Sequence, residues 1–297
     1  MFLFFNINSV SFGQDSIKSV PDPSSIATIF KSDTSNPGNK TTWHQMLTNI
    51  PSDYDKLIRN AFSTEVLPSY IIFGSITGIL LLVDNQGWNF NNTLFRKSPI
   101  DHKISDFSIK MGDGRYQFLS AALFEVPGLI FNDKTAIRTG SNIVEAVIST
   151  GLLVQILKRV TGRQSPLAST ETGGDWDPFP SIKQYQKDQP AFYSFPSGHL
   201  STATAVLTVI ANNYPNEKWI RSVGYPLLGL LGISLVSEGM HWYSDLPLAV
   251  LLGYSLGNII APEKKLHTQD NDKSSLTIIP SMTLNGIQLE ASYNFQF

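Results

Sequence analysis

Apolar residues gather along this chain into long runs with little or no charge, separated by polar connectors. The run at 67–83 (LPSYIIFGSITGILLLV) has no charged residue, that at 118–131 holds one Glu and Pro127, and that at 141–157 is apolar apart from Glu145 and a few polar groups. Further uncharged runs follow at 200–211, 222–237 and 246–262. Each is about 12–17 residues, longer than a buried strand and of helical length, and just short of the roughly 20 residues that cross a bilayer comfortably. They predict either short tilted spans or the core helices of a large bundle. At 276–297 the period changes to two. Leu276, Ile278, Met282 and Leu284 alternate with mostly polar neighbours, as do Ile287, Leu289, Ala291, Tyr293, Phe295 and Phe297. Between them stands Asn285-Gly286, the strongest two-residue hairpin signal, so the tail predicts a β-hairpin turning there.

The connectors complete the expected organisation. Residues 1–14 (MFLFFNINSVSFGQ) pair an apolar block with small residues and read as a secretory signal. Residues 15–45, rich in Ser, Pro, Asp, Asn and Thr, have too few large apolar groups to order themselves and read as a polar arm. A helical domain is expected over 46–262, then a polar linker at 263–275.

Composition narrows the function classes. Charged residues make up 15% of the 297, against roughly 25% in an average soluble chain. The 22 basic and 24 acidic residues leave a net charge of −2, which argues against a nucleic-acid partner. There is no Cys, which excludes disulfide scaffolds, Cys-based zinc sites and a thiol nucleophile.

Three segments carry recognisable chemistry. His241 and Asp245 stand four apart, so on a helix they share a face. The carboxylate can accept the Nδ1 proton and leave Nε2 free as a nucleophile. Pro196-Ser197-Gly198-His199 precedes an apolar run, and free N–H groups at a helix start form an anion site. There Gly198 lets a phosphate approach the backbone, Ser197 adds a hydroxyl and His199 a titratable donor. Lys158 and Arg163 stand at the end of another apolar run, where cations complement a helix dipole or hold an anion. Each segment alone has an ordinary structural reading: an i,i+4 surface pair, a Ser cap, a dipole-matched cation.

Together, their order and spacing resemble the type 2 phosphatidic acid phosphatase superfamily, which includes bacterial acid phosphatases, lipid phosphatases and vanadium haloperoxidases. The family pattern is Lys-x6-Arg-Pro, then Pro-Ser-Gly-His, then Ser-Arg-x5-His-x3-Asp. Pro196 to His199 and the His241/Asp245 pair are intact, and Lys158, Pro166 and Ser234 match. The resemblance extends over roughly residues 100–262, including a helix end at Lys110-Met111-Gly112-Asp113-Gly114. It implies an all-α, multi-helix bundle of the phosphatase/haloperoxidase type, here with a small C-terminal β-hairpin. It further implies metal-independent hydrolysis of a phosphomonoester or pyrophosphate, lipid phosphate above all, at a membrane and without a cofactor. In that scheme His241 is the nucleophile, His199 the acid and Asp245 the orienting group, with Lys158, Arg163, Ser197 and Gly198 binding phosphate. With the signal, it implies export to a bacterial periplasm or cell-envelope membrane. Two family arginines are replaced: Ser165 and Leu235 stand in their places, and Arg163 is the nearest substitute for the first. The alternative reading is therefore a degenerate member that binds an anion or lipid head group without efficient turnover.

Overall fold

A computed structural model describes residues 43–94, 99–262, 275–283 and 286–294. The expected signal at 1–14, most of the arm and most of the 263–275 linker lie outside the described residues. Ten α-helices are described: α1 (Trp43–Thr48), α2 (Ile50–Ala61), α3 (Leu67–Leu94), α4 (Pro99–Gly112), α5 (Gly114–Phe131), α6 (Lys134–Thr161), α7 (Ile182–Lys187), α8 (Gly198–Asn213), α9 (Lys218–Ser237) and α10 (Asp245–Ile260). α1 starts at Trp43, inside the stretch read as polar arm, and buries Met46.

Every apolar run forms a helix, but the helices overrun the runs. α3 continues eleven residues beyond Val83, through Asp84, and α6 starts seven residues before Ser141. Helix ends follow local chemistry rather than hydropathy. Asp113 and Asp133 cap α5 and α6 by accepting the Arg115 and Thr135 N–H groups. Gly162 closes α6 at φ 55°, and a Cβ there would lie 1.7 Å from the Asp177 carbonyl oxygen, so only glycine turns the chain here. α4 has no apolar run behind it: it buries Ser105 and Ser108, and the Ser108 hydroxyl donates to Ser234 Oγ.

α8 is central, packed against α6, α9 and α10. Ile143, Ala146, Val206 and Val209 form one core cluster, and Leu200, Leu231, Leu235 and Ala249 a second, nearer the start of α8. α10 approaches α8 so closely that a Cβ on Gly253 would lie 2.1 Å from the Ser201 carbonyl oxygen. α3 stands at the periphery with an uncovered apolar face; Ile79 is 63% and Leu82 81% exposed. Residues Leu67–Asn91 of α3 and Lys218–Ser237 of α9 are long and apolar enough to cross a membrane.

The tail pairs as an antiparallel hairpin, β1 (Ser275–Thr283) with β2 (Gly286–Asn294). Thr283 lies opposite Gly286, so Gly286 belongs to the second strand and not to the turn. This corrects the expected turn at Asn285-Gly286 by one residue on each strand. Both registers set the same alternating positions opposite one another (276 with 293, 278 with 291 in the observed one), so the hydrophobic pattern cannot choose between them.

Candidate active site

The three segments meet where α6 ends and α8 and α10 begin. Gly162 sends the chain from α6 into a long connector that returns through Ser194 and Pro196 to the α8 N-terminus, while the turn at 238–244 leads from α9 into α10. Backbone bonds sew these together: Ser194 N–H donates to the Arg163 carbonyl (2.9 Å) and Ser197 N–H to the Asp245 carbonyl (3.1 Å).

His241 and Asp245 are both fully buried. His241 Nδ1 faces Asp245 Oδ2 at 3.3 Å. That oxygen also accepts the Ser194 hydroxyl (2.5 Å) and the Trp242 N–H (2.8 Å). With an acceptor-only carboxylate on Nδ1, the assigned tautomer carries its hydrogen there and its lone pair on Nε2. His241 Nε2 is buried and has no hydrogen-bond partner among the described residues. Burial pushes the protonation of His241 down, with the Asp245 hydrogen bond opposing it. Burial works against charge at Asp245 too, but Arg163, His241 and Ser194 outweigh it and hold the carboxyl below its ordinary range.

Lys158, in the last turn of α6, is 4% exposed. Its Nζ lies 4.7 Å from the centre of the Tyr193 ring and 3.6 Å from where a Cβ on Gly198 would stand. Burial lowers its pKa to about 8, with Asp245 pulling the other way. Ser197 caps α8, its hydroxyl accepting the Leu200 N–H at 3.4 Å. His199, in the first turn of α8, is lowered to about 4 by burial, then by His241 and Lys158, with Asp113 opposing. Lys158, Ser197, Gly198, His199, His241 and Asp245 are thus brought together. Tyr193, edge-on to His241 at 6.3 Å between ring centres, covers the group from the connector side.

Arg163 is placed otherwise than expected. Its Nη1 donates to Asp245 Oδ1 (2.5 Å) and Ser244 Oγ (2.6 Å), its Nη2 to Asp84 Oδ2 (2.6 Å) and the Gly173 carbonyl (2.7 Å), and its Nε to that carbonyl at 3.3 Å. Those bonds use all five N–H donors of a guanidinium. Arg163 therefore struts the back of the His241–Asp245 pair and has no donor left for phosphate, which corrects its assignment as a clamp. Two buried carboxylates outcompete a transient anion for it. The residue missed by sequence reasoning is Asp84, on α3, which accepts from Arg163, from the Ser244 N–H at 3.1 Å and from the Ser244 hydroxyl. Its one signal was a lone acid at the edge of an apolar run. Ser165 is buried with its N–H on the Pro190 carbonyl, and Leu235 is packed in the second core cluster.

The family description "PAP2 superfamily" matches residues 140–264. The lipid A 1-phosphatase of Porphyromonas gingivalis is 31% identical over 80 residues, covering 27% of this chain and 18% of that relative; the chain thus matches under a fifth of its length. Among solved structures, a transmembrane PAP2 type phosphatidylglycerolphosphate phosphatase from Bacillus subtilis aligns at a TM-score of 0.42 with 19% identity, over 73% of this chain and 92% of that one. Aquifex aeolicus LpxE aligns at 0.41 with 20% identity, over 59% and 92%. The Pro-Ser-Gly-His and His-x3-Asp motifs folded onto this site both lie within the 140–264 segment that matches the PAP2 superfamily description.

Proposed function

We propose that this chain is a phosphatase of lipid phosphates that works at a membrane, through a phosphohistidine on His241. The observation that carries the reading is the buried, unpartnered Nε2 of His241, on a ring whose Nδ1 is held by Asp245. The Nε2 lone pair attacks phosphorus, the P–O bond to the lipid breaks, and His199 gives its proton to the departing alkoxide. Water then attacks the phosphohistidine, passes a proton to His199, and releases inorganic phosphate. Without substrate His199 is neutral at pH 7; a bound phosphate dianion acts in the opposite sense and favours its protonated form. Lys158, the Ser197 hydroxyl and the free N–H groups at the start of α8 are the anion-stabilising groups, the largest contribution in phosphoryl transfer. No step uses a metal or an organic cofactor, and nucleic acid has no part in it. The location that goes with this reading is a bacterial cell-envelope membrane, where lipid phosphates reside.

A second reading has its own observation. Ser165 and Leu235 replace two cationic side chains, and Arg163 is committed elsewhere. Loss of one transition-state donor costs about 10²–10³ in rate, so a binding protein with little turnover is the rival. Phosphate release from phosphatidic acid and from p-nitrophenyl phosphate, in excess chelator, decides. The phosphatase reading expects slow release abolished by His241→Ala. Lipid phosphate binding with no release from any ester makes the chain a binding module.

A further inference from the structure

α2 buries three side chains, Ile50, Asp53 and Leu57, and its outer face carries the Arg59–Asp55 pair. One of its inward anchors is therefore a carboxyl, and it meets another. Asp53 is 2% exposed and Glu145, near the middle of α6, 3%, and the two side chains stand within hydrogen-bond reach of each other. Beside them the Tyr54 hydroxyl donates to the Ser149 carbonyl at 2.7 Å, which sets α2 against the same stretch of α6. Asp53 Oδ1 faces Lys56 Nζ at 3.4 Å, but its Oδ2 is buried with no partner among the described residues. Ser149 Oγ, one turn on from Glu145, is unpartnered there too. Two carboxylates in contact and out of water do not both ionise. Lys56 offsets this little, because its side chain is 54% exposed and water screens it. Residues 66–83 and 246–260, from the other two helices against α2, hold no charge, and the titratable residue of α1 is His44. Glu125 of α5 lies against Gly140, about 140° around α6 from Glu145. Burial raises the Glu145 carboxyl to about 8, with Asp53 adding to the rise and Asn49 and Lys56 opposing it.

We infer that Asp53 and Glu145 hold one proton between them at neutral pH, and that this shared proton fastens α2 to α6. The Glu145 O–H donates to Asp53, whose orphaned Oδ2 is the acceptor that lacks a donor. Without the proton two charges stand in a site closed around one, and α2 keeps Ile50 and Leu57 as its buried anchors. α2 also supplies Lys56, Leu57 and Asn60 to the wall of a cavity of about 700 Å³ that it shares with α3 and α10, so lifting α2 opens that cavity. The sign follows from linkage. The docked pair keeps a proton that a free glutamate gives up in the ordinary carboxyl range. The stability it contributes is complete below that range, is lost as pH rises from there through about 8, and then levels.

The test uses the full chain in one fixed detergent. Infrared spectra in D₂O at neutral pH should show the carbonyl stretch of a buried protonated carboxyl in the parent that Glu145→Gln lacks, and this band should titrate away near pH 8. Glu145→Gln keeps a donor for Asp53 at every pH. The parent thermal midpoint minus that of Glu145→Gln should therefore fall from about pH 5 to about pH 8 and then level. His44→Gln should leave that fall in place. The chain has no Cys, so a single introduced thiol reports on α2. The labelling rate of Leu57→Cys, taken relative to the exposed Phe62→Cys to cancel thiol ionisation, should rise about tenfold per pH unit up to about 8. Adding Glu145→Gln should make that ratio flat. Should Leu57→Cys fail to fold, the infrared band and the midpoints decide. Absence of the band at neutral pH, or a band that survives in Glu145→Gln, overturns the shared proton. A band that behaves as expected with flat midpoint differences and a flat labelling ratio overturns its role in fastening α2.

Discussion

Replacing Asp84 by Asn tests whether a single acid on α3 holds the catalytic pair in place. Asp84 is 1% exposed and accepts the Arg163 guanidinium at 2.6 Å, together with the N–H and hydroxyl of Ser244. Asn preserves the shape but removes the charge, and turns an NH₂ group toward a donor-rich environment. Arg163, itself fully buried, then keeps only Asp245 as a charged partner. Breaking one side of a buried ion pair costs about 3–5 kcal/mol, and the remaining amide oxygen places the expected loss near the lower end. In a chain of this size each kcal/mol moves the thermal midpoint by roughly 2–4 °C, so the midpoint should fall by about 6–12 °C. Activity should fall further than binding. Arg163 and Ser244 fix Asp245, and Asp245 fixes the ring of His241, so kcat should drop about 10²-fold, the usual cost of misplacing a reacting group by about an ångström, with KM little changed. Midpoints are read by intrinsic fluorescence, and rates by phosphate release. An Asp84→Asn protein within about 2 °C of the parent midpoint, a shift worth no more than about 1 kcal/mol, with unchanged kcat would refute the strut.

Two further outcomes follow from the site. Lys158, with its pKa at about 8, is charged below that value and loses its charge as pH rises through it, so KM for phosphate esters should increase about tenfold per pH unit above it. Lys158→Arg, whose guanidinium stays charged throughout, should remove that limb from the profile; an unchanged limb assigns it to another group. His199→Gln should slow alkyl phosphate hydrolysis by about 10²–10⁴ and largely spare p-nitrophenyl phosphate, whose leaving group needs no proton. Equal losses on both esters would show that His199 is not the acid.

The contrast between Asp84 and Arg163 shows what the sequence makes legible. The nucleophile pair, the Ser-Gly-His turn and Lys158 are local signals: a spacing of four, a cap before an apolar run, a cation at a helix end; the shared helix face expected for His241 and Asp245 is corrected, because α10 starts only at Asp245 and the turn before it brings His241 onto the carboxylate. Their convergence follows from a pattern of order and spacing. The role of Arg163 is set by partners 79 and 82 residues away, which no local spacing encodes. Asp84 misled in a specific way. A charge at the end of an uncharged run reads as the end of the element, whereas here it is neutralised by Arg163 and the helix passes through it to Leu94. α4 was legible only at its end, Lys110–Gly114, for the converse reason: its buried face carries Ser105 and Ser108, the latter bonded to Ser234 of α9, rather than an apolar stripe. In the tail, alternation sets which positions face together but leaves registers two residues apart equivalent.

The central claim is that His241 Nε2 forms a bond to phosphorus. The most direct measurement is to mix the chain with a lipid phosphate, quench in alkali within one turnover, and locate protein-bound phosphate by mass spectrometry and ³¹P NMR. The geometry predicts an acid-labile phosphoryl group on His241, on Nε2 because Nδ1 is taken by Asp245, and none in the His241→Ala protein. Phosphate release that continues with no phosphoryl group on His241, or a phosphoryl group on Nδ1, would contradict it.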